Sequence, residues 1–227
     1  MSEDIEQAGG VAALRPRLTW RKILQILIGI ELWAFAVALW VRSGLGLGPW
    51  DAFHYGLHVQ TGMTIGTASI LIGVIILAAT MTMGLRPGAA TLINMVFIGV
   101  FIDLTLPLVP DAATPQWSWA FLLGGIPMCG IASGMYIGAG HGHGPRDGLM
   151  VVLTQRTGWS VRRVRTVMEI SVLAAGWLMG GTVGVGTVII TLAIGPAVQW
   201  GLRLFDATPA RSDMPEPPSR WSFRRAA

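Results

Sequence analysis

Long unbroken apolar stretches alternate along this chain with short polar and glycine-rich segments. The apolar stretches cover about 23–42, 63–83, 89–109, 118–138, 164–182 and 186–204. An α-helix rises 1.5 Å per residue, so roughly 20 apolar residues cross the ~30 Å of hydrocarbon in a bilayer. The pattern therefore predicts six membrane-spanning helices. Two shorter segments, 49–60 and 145–156, interrupt the alternation, each beginning within a Gly-Pro-x-Asp motif. Pro suits a first helical position, where its missing N–H would have had no partner. Asp in the first turn suits the positive end of the helix dipole. Gly62 and Gly158 end these segments, and Thr64 and Ser160 are placed to cap the spans that follow. Twelve helical residues measure roughly 18 Å, about half a bilayer. Each segment is thus expected to be a short re-entrant or buried half-helix.

Composition agrees with that pattern. Of 227 residues, 52% are hydrophobic and 12% charged, with a mean hydropathy of +0.59. A soluble domain carries about 25% charged residues, so this chain lacks the polar surface of a water-soluble enzyme and the polarity of a disordered one. The single cysteine, Cys129, excludes an internal disulfide and a cysteine-built zinc site. A pI near 10.2 would ordinarily raise the question of nucleic acid. The sixteen basic residues instead follow the spans. With both termini inside, fifteen of them, among them Arg21, Lys22, Arg86, Arg146, Arg156, Arg162, Arg163, Arg165 and Arg203, lie on the inner side, and only Arg42 lies outside. Cytoplasmic loops carry such an excess, so no nucleic-acid partner is expected. Residues 1–14 hold Glu3, Asp4 and Glu6 and no apolar run, which argues against a cleavable signal. Residues 1–20 read as a cytoplasmic segment and 206–227, rich in Pro, Arg and Ser, as a disordered cytoplasmic tail.

A shift of 96 residues lays the chain on itself. Gly44-Leu45-Gly46-Leu47-Gly48-Pro49-Trp50-Asp51 meets Gly140-His141-Gly142-His143-Gly144-Pro145-Arg146-Asp147, and eighteen of the 56 positions from 44 to 99 are identical to their counterparts. Residues 21–110 and 117–205 are thus two repeats of three spans each. An odd number of spans makes the second repeat enter the membrane from the opposite face, a plan common among transporters with midplane sites. The expected fold is an all-α membrane protein, six transmembrane helices in two inverted three-span repeats, each with its half-helix.

The duplicated motif carries the candidate chemistry. Glycines before a helix start expose backbone N–H groups that attract anionic or polar solutes, while Asp51 and Asp147 suit a cation or proton. Gly46, Gly48, Asp51, Gly142, Gly144 and Asp147 are therefore the candidate solute-binding residues. Glu31 and Glu169 fall near the centres of spans and Asp103 in the outer part of one, so these three are candidates for proton or ion coupling. His54 and His58 share a helix face, and His141 and His143 alternate with glycines. Nothing completes a tetrahedral ligand set with them, so neither a metal nor another cofactor is expected. Asn94, Gln199, Thr91 and Thr187 are polar groups within spans, suited to lining a path or to bonding between helices. Trp20, Trp40, Trp117, Trp119 and Trp200 sit near span ends as interfacial anchors.

The Gly-Leu-Gly-Pro-Trp-Asp run at 46–51, Gly-Pro-Arg-Asp-Gly at 144–148, Arg-Val-Arg-Thr-Val-Met-Glu at 163–169, and the later Gly180-Gly181, Gly184 and Gly186-Thr187 resemble the YczE-type membrane proteins, related more loosely to the YitT type. The resemblance spans roughly 18–205. It implies a multi-pass protein of the bacterial inner membrane and supplies no substrate. The function expected is a transporter or channel for a small polar or ionic solute. The alternative is a non-transporting scaffold or regulatory partner of another protein. An enzyme is not expected, since no nucleophile–base motif occurs. The partners expected are the lipid bilayer and the solute, and the glycine-rich surface leaves room for a homo-oligomer.

Overall fold

The computed structural model describes residues 20–84, 89–138 and 144–205, and all regular structure there is helical. The helices are α1 (Trp20–Ser43), α2 (Pro49–Thr61), α3 (Ile65–Thr82), α4 (Ala89–Thr105), α5 (Pro115–Gly138), α6 (Pro145–Thr157), α7 (Val161–Leu178) and α8 (Val185–Leu204), with a 3-10 turn at Leu106–Leu108. The 96-residue shift carries the first residues of α2, α3 and α4 onto those of α6, α7 and α8. The expected cytoplasmic end segments, and Arg86, Gly142, His141 and His143, lie outside the described residues.

The punctuation of the two half-helices has the expected chemistry. Pro49 and Pro145 occupy the first helical positions of α2 and α6. Both helices end on a left-handed glycine, Gly62 at φ 74° and Gly158 at φ 67°, a conformation that costs glycine little. Thr64 then accepts the Thr67 N–H and Ser160 accepts the Arg163 N–H, capping α3 and α7.

Five helical segments have the length and hydropathy to cross a bilayer: α1, α3, α4 with its 3-10 extension, α5 and α8. Large apolar side chains cover the outside, with Leu192 72% and Ile75 54% exposed. Such a surface is insoluble in water and matched to lipid, so this is an integral membrane protein. α7 has the length of α3 but carries Arg162, Arg163, Arg165 and Glu169.

α1 and α5 form the centre. Ile30, Ala34, Val37, Ala38 and Trp40 of α1 are almost wholly buried, and the Trp40 Nε1–H donates to the Leu122 carbonyl of α5 at 3.2 Å, so Trp40 is a core residue and not the interfacial anchor expected from its place near a span end. α4 packs on α1, and α8 packs on α5. The half-helices cross over: α2 packs on α7, and α6 packs on α3. Small residues make these approaches possible, as they do between membrane helices generally. A Cβ at Gly176 would lie 2.7 Å from the Phe53 nitrogen of α2, one at Gly66 1.9 Å from the Gly99 carbonyl, and one at Gly201 1.8 Å from the Gly130 carbonyl.

The segment leading into α2 is pinned in the same way. The Leu47 N–H donates to Thr182 at 3.0 Å, and the Gly186 N–H donates to Leu45 at 2.8 Å. Gly46 sits between these bonds at φ 121°, where a Cβ would meet the Gly184 nitrogen and the Thr187 hydroxyl. The start of α2 is thereby held against the start of α8.

Candidate functional site

The crossed packing brings the starts of α2 and α6 together. The first turn of a helix leaves amides without intrahelical partners, and neither Gly48 nor Gly144 has a side chain to cover them. Between the two starts, the guanidinium carbon of Arg146 lies 4.7 Å from the centroid of the Trp50 ring. These two residues hold the same position in the two copies of Gly-Pro-x-Asp.

Beside this contact is a cavity of about 270 Å³ lined by residues from all eight helices. Of its twenty-six lining residues, twenty-two form eleven pairs related by the 96-residue shift. Gly48 pairs with Gly144, Trp50 with Arg146, Asp51 with Asp147, His54 with Met150, Ser69 with Arg165 and Gly73 with Glu169. The cavity is therefore lined largely by matching positions of the two halves of the chain. Trp33 of α1 and Tyr136 of α5, edge to face at 6.1 Å, complete the wall.

The two walls differ in charge. The first repeat supplies Asp51, His54 and Ser69, and the second supplies Arg146, Asp147, Arg165 and Glu169. Arg165 and Glu169 satisfy each other at 2.8 Å, one helical turn apart. Asp147 accepts the Gly144 N–H at 3.2 Å and so caps its own helix. The carboxylate of Asp51, its counterpart, makes no hydrogen bond among the described residues. Arg146 lies within the electrostatic reach of Asp51, Asp147 and Tyr136. Yet the ion pairs formed among the described residues are Arg42–Asp111 and Arg165–Glu169, so neither aspartate closes on Arg146. His54 is 1% exposed, lines the cavity and has no hydrogen-bond partner among the described residues.

Of the residues singled out from sequence, Gly48, Asp51, Gly144, Asp147 and Glu169 line this one cavity, as does Asn94. Gly46 lies behind it in the packing of the α2 start, and Gly142 is outside the described residues. Asp103 is elsewhere: its carboxylate accepts from the Thr64 hydroxyl and, at 2.8 Å, from the Gly66 N–H, tying α4 to the start of α3. Glu31 accepts from the Thr105 hydroxyl at 2.7 Å between α1 and α4. His58 does not join His54, because its Nδ1 bonds the Met63 carbonyl at 2.6 Å. Among the described residues no group of three metal-ligating side chains occurs.

Trp50, Arg146 and Tyr136 are cavity residues that sequence reasoning does not single out, whereas His54 is one of the four histidines it weighs as metal ligands, polar loop groups or solute contacts. By residue type Arg146 belongs with the basic residues that mark the inner face. The available signal was its position in the duplicated motif, opposite the aromatic residue that replaces it in the other copy.

The family described as "Family of unknown function (DUF6198)" matches residues 20–203. "Uncharacterized membrane protein YczE" of Bacillus subtilis (strain 168) is 40% identical over 176 residues, 77% of this chain and 82% of that one. An "Uncharacterized protein" of Haemophilus influenzae is 34% identical over 204 residues, 86% of this chain and 94% of that one. "Uncharacterized protein YyaS" of Bacillus subtilis is 27% identical over 172 residues, 74% of this chain and 85% of that one. No solved structure matches the chain.

Proposed function

The chain belongs to this YczE-type, DUF6198 family of membrane proteins, and from that premise we propose that it moves a small polar or charged solute across the bacterial inner membrane. The carrying observation is the cavity built from eleven repeat-related pairs at the meeting point of the two Gly-Pro-x-Asp motifs. Ligand sites in transporters with duplicated halves lie at the repeat interface, where interrupted helices point their starts at the substrate.

In this reading α7 is the sixth span, with Arg162 and Arg163 at its cytoplasmic end. Their long side chains reach the headgroups while the rest of the helix enters the membrane. The repeats are inverted, so α2 enters from the outer face and α6 from the inner face. The crossed packing of α2 on α7 and of α6 on α3 supports this, since each contact is the repeat-image of the other. Both termini are cytoplasmic, in keeping with the distribution of basic residues. The protein carries its solute unchanged and performs no reaction.

The test is a thermal-stability screen of the purified protein against amino acids, organic acids, inorganic anions, nucleobases and amines, followed by uptake into proteoliposomes. A ligand at 100 times its dissociation constant adds about 2.7 kcal/mol to stability, a readily measured rise in melting temperature. The expected result is a stabilising solute that is also taken up, with both effects lost in the Asp51→Asn, Asp147→Asn double variant. A folded protein that binds nothing in the panel and takes nothing up would overturn the reading in favour of a scaffold.

A further inference from the structure

Two opposite charges face the cavity without partners. The guanidinium carbon of Arg146 lies over the Trp50 ring, 4.7 Å from its centroid. A guanidinium has five donors in a fixed fork that matches a carboxylate, and none of them finds an acceptor among the described residues. The Asp51 carboxylate makes no hydrogen bond there either. Charges taken out of water are costly unless paired and hydrogen-bonded. Asp51 and Arg146 line the same cavity and interact through space, yet they do not come within the 4.0 Å of an ion pair. A group that bears both signs, placed between them, would pair each.

Resting on the reading of this cavity as a solute site, we propose that the solute is a small zwitterion with an apolar body, the chemistry of an uncharged aliphatic α-amino acid. Its carboxylate lies on the N–H edge of Arg146 and on the exposed amides at the start of α2. Its ammonium lies against Asp51. His54 is three residues further along α2, on the same face and almost fully buried without a partner. Its ring nitrogen is the second acceptor for that ammonium. The remaining lining is largely aliphatic, with Ile72, Ile98, Met150 and Ile194 among it, and suits a side chain with no polar atoms. An anion alone would leave Asp51 unpaired, and a cation alone would leave Arg146 unpaired.

Three probes with one shared apolar body separate the possibilities: leucine, 4-methylpentanoate, which lacks the amine, and 3-methylbutylamine, which lacks the carboxylate. Each is titrated into the purified full-length protein by thermal shift and calorimetry. Leucine should bind at least ten-fold more tightly than either single-charge analogue. Arg146→Gln and Asp51→Asn should each abolish its effect. Arg146→Lys, which keeps the charge but loses the fork, should remain folded and weaken leucine by at least ten-fold. If either analogue binds as well as leucine and Arg146→Gln or Asp51→Asn still abolishes that binding, the zwitterion is wrong while the cavity reading stands. If a solute of any class binds undiminished in both Arg146→Gln and Asp51→Asn, the cavity is not the site and both readings fall. If the folded protein binds none of the three, the zwitterion assignment falls, and the broader panel then decides the fate of the cavity reading.

Discussion

Arg146 stacks 4.7 Å over the ring of Trp50, so the one position at which the core of the duplicated motif differs between copies is also where the copies touch. Gly, Pro and Asp are shared because both copies must start a helix in the same way. The variable position is under a different constraint. Two arginines meeting there would repel, two tryptophans would leave no charge, and one of each gives a cation over an electron-rich face.

That relationship predicts a swap. Trp50→Arg alone places two guanidinium groups together, and Arg146→Trp alone removes the cation, so each single variant should lose solute stabilisation. The Trp50→Arg, Arg146→Trp double variant restores the pair with its direction reversed and should recover part of the binding. A cation–π contact is worth about 0.5–2 kcal/mol, so recovery of roughly two- to thirty-fold over the singles is expected by calorimetry. Binding by the double variant no better than by either single would show that the order of the pair matters, and would remove the pseudo-symmetric account of this contact.

The two aspartates should separate. The Asp147 carboxylate is occupied with the Gly144 N–H, whereas the Asp51 carboxylate bonds no described residue. Asp147→Ala should therefore destabilise the start of α6 by about 0.5–2 kcal/mol, the usual value of a lost cap, with a weaker effect on solute. Asp51→Ala should cost little stability and abolish solute binding. Melting temperature and solute titration on the same samples check both. The opposite ranking would mean that Asp51 is structural.

Asp103 and Glu31 should be dispensable for solute. Asp103 holds the Thr64 hydroxyl and the Gly66 amide, and Glu31 holds Thr105. Asp103→Ala leaves a helix start with fewer acceptors and should lower the melting temperature by an amount comparable to the loss of a cap, about 1 kcal/mol. Uptake per folded molecule should be unchanged in Asp103→Ala and in Glu31→Gln. A stable variant of either residue without uptake would bring that carboxylate into the transport path.

Glycines divide sharply by position. Adding a methyl group at Gly66 or Gly201 would push it into a backbone carbonyl on the facing helix, while Gly124 and Gly195 have open space. Overpacking costs about 1–3 kcal/mol, and a carbonyl has no rotamer through which to yield. Gly66→Ala and Gly201→Ala should lower the melting temperature clearly, whereas Gly124→Ala and Gly195→Ala should leave it within error. Size-exclusion profiles and melting curves decide the matter.

The helical segments were legible because lipid imposes length and apolarity on any span, and because proline, glycine and Thr or Ser mark helix ends by local chemistry. The repeat was legible because Gly-Pro-x-Asp recurs at one offset. The crossover of α2 onto α7 was not, since a glycine such as Gly56 or Gly176 signals close approach without naming its partner. For the same reason Asp51 and Asp103 are both candidate site residues in sequence, one for solute and the other for coupling. One faces a cavity and the other caps a neighbouring helix, a difference created by tertiary packing alone. Arg146 was hidden by its own residue type, because a basic residue beside a predicted span is ordinarily a marker of orientation.

The two repeats also differ in closure. α3 packs along α4, with Gly99 set against Ile70, but α7 and α8, their counterparts, do not pack along each other, and Gly195 faces open space. Alternating access in transporters with duplicated halves moves one half against the other around a fixed site, and on the function proposed above the two halves here exchange conformations. In the alternative state Thr166 should therefore close on Gly195 as Ile70 does on Gly99. In a Cys129→Ala background, Thr166→Cys with Gly195→Cys should cross-link slowly in the resting protein. Cross-linking should be faster while solute is being transported, and the acceleration should vanish when Asp51→Asn is added. A pair that never cross-links in vesicles shown to take up solute would mean that α7 and α8 stay apart throughout, and that the solute passes without this exchange.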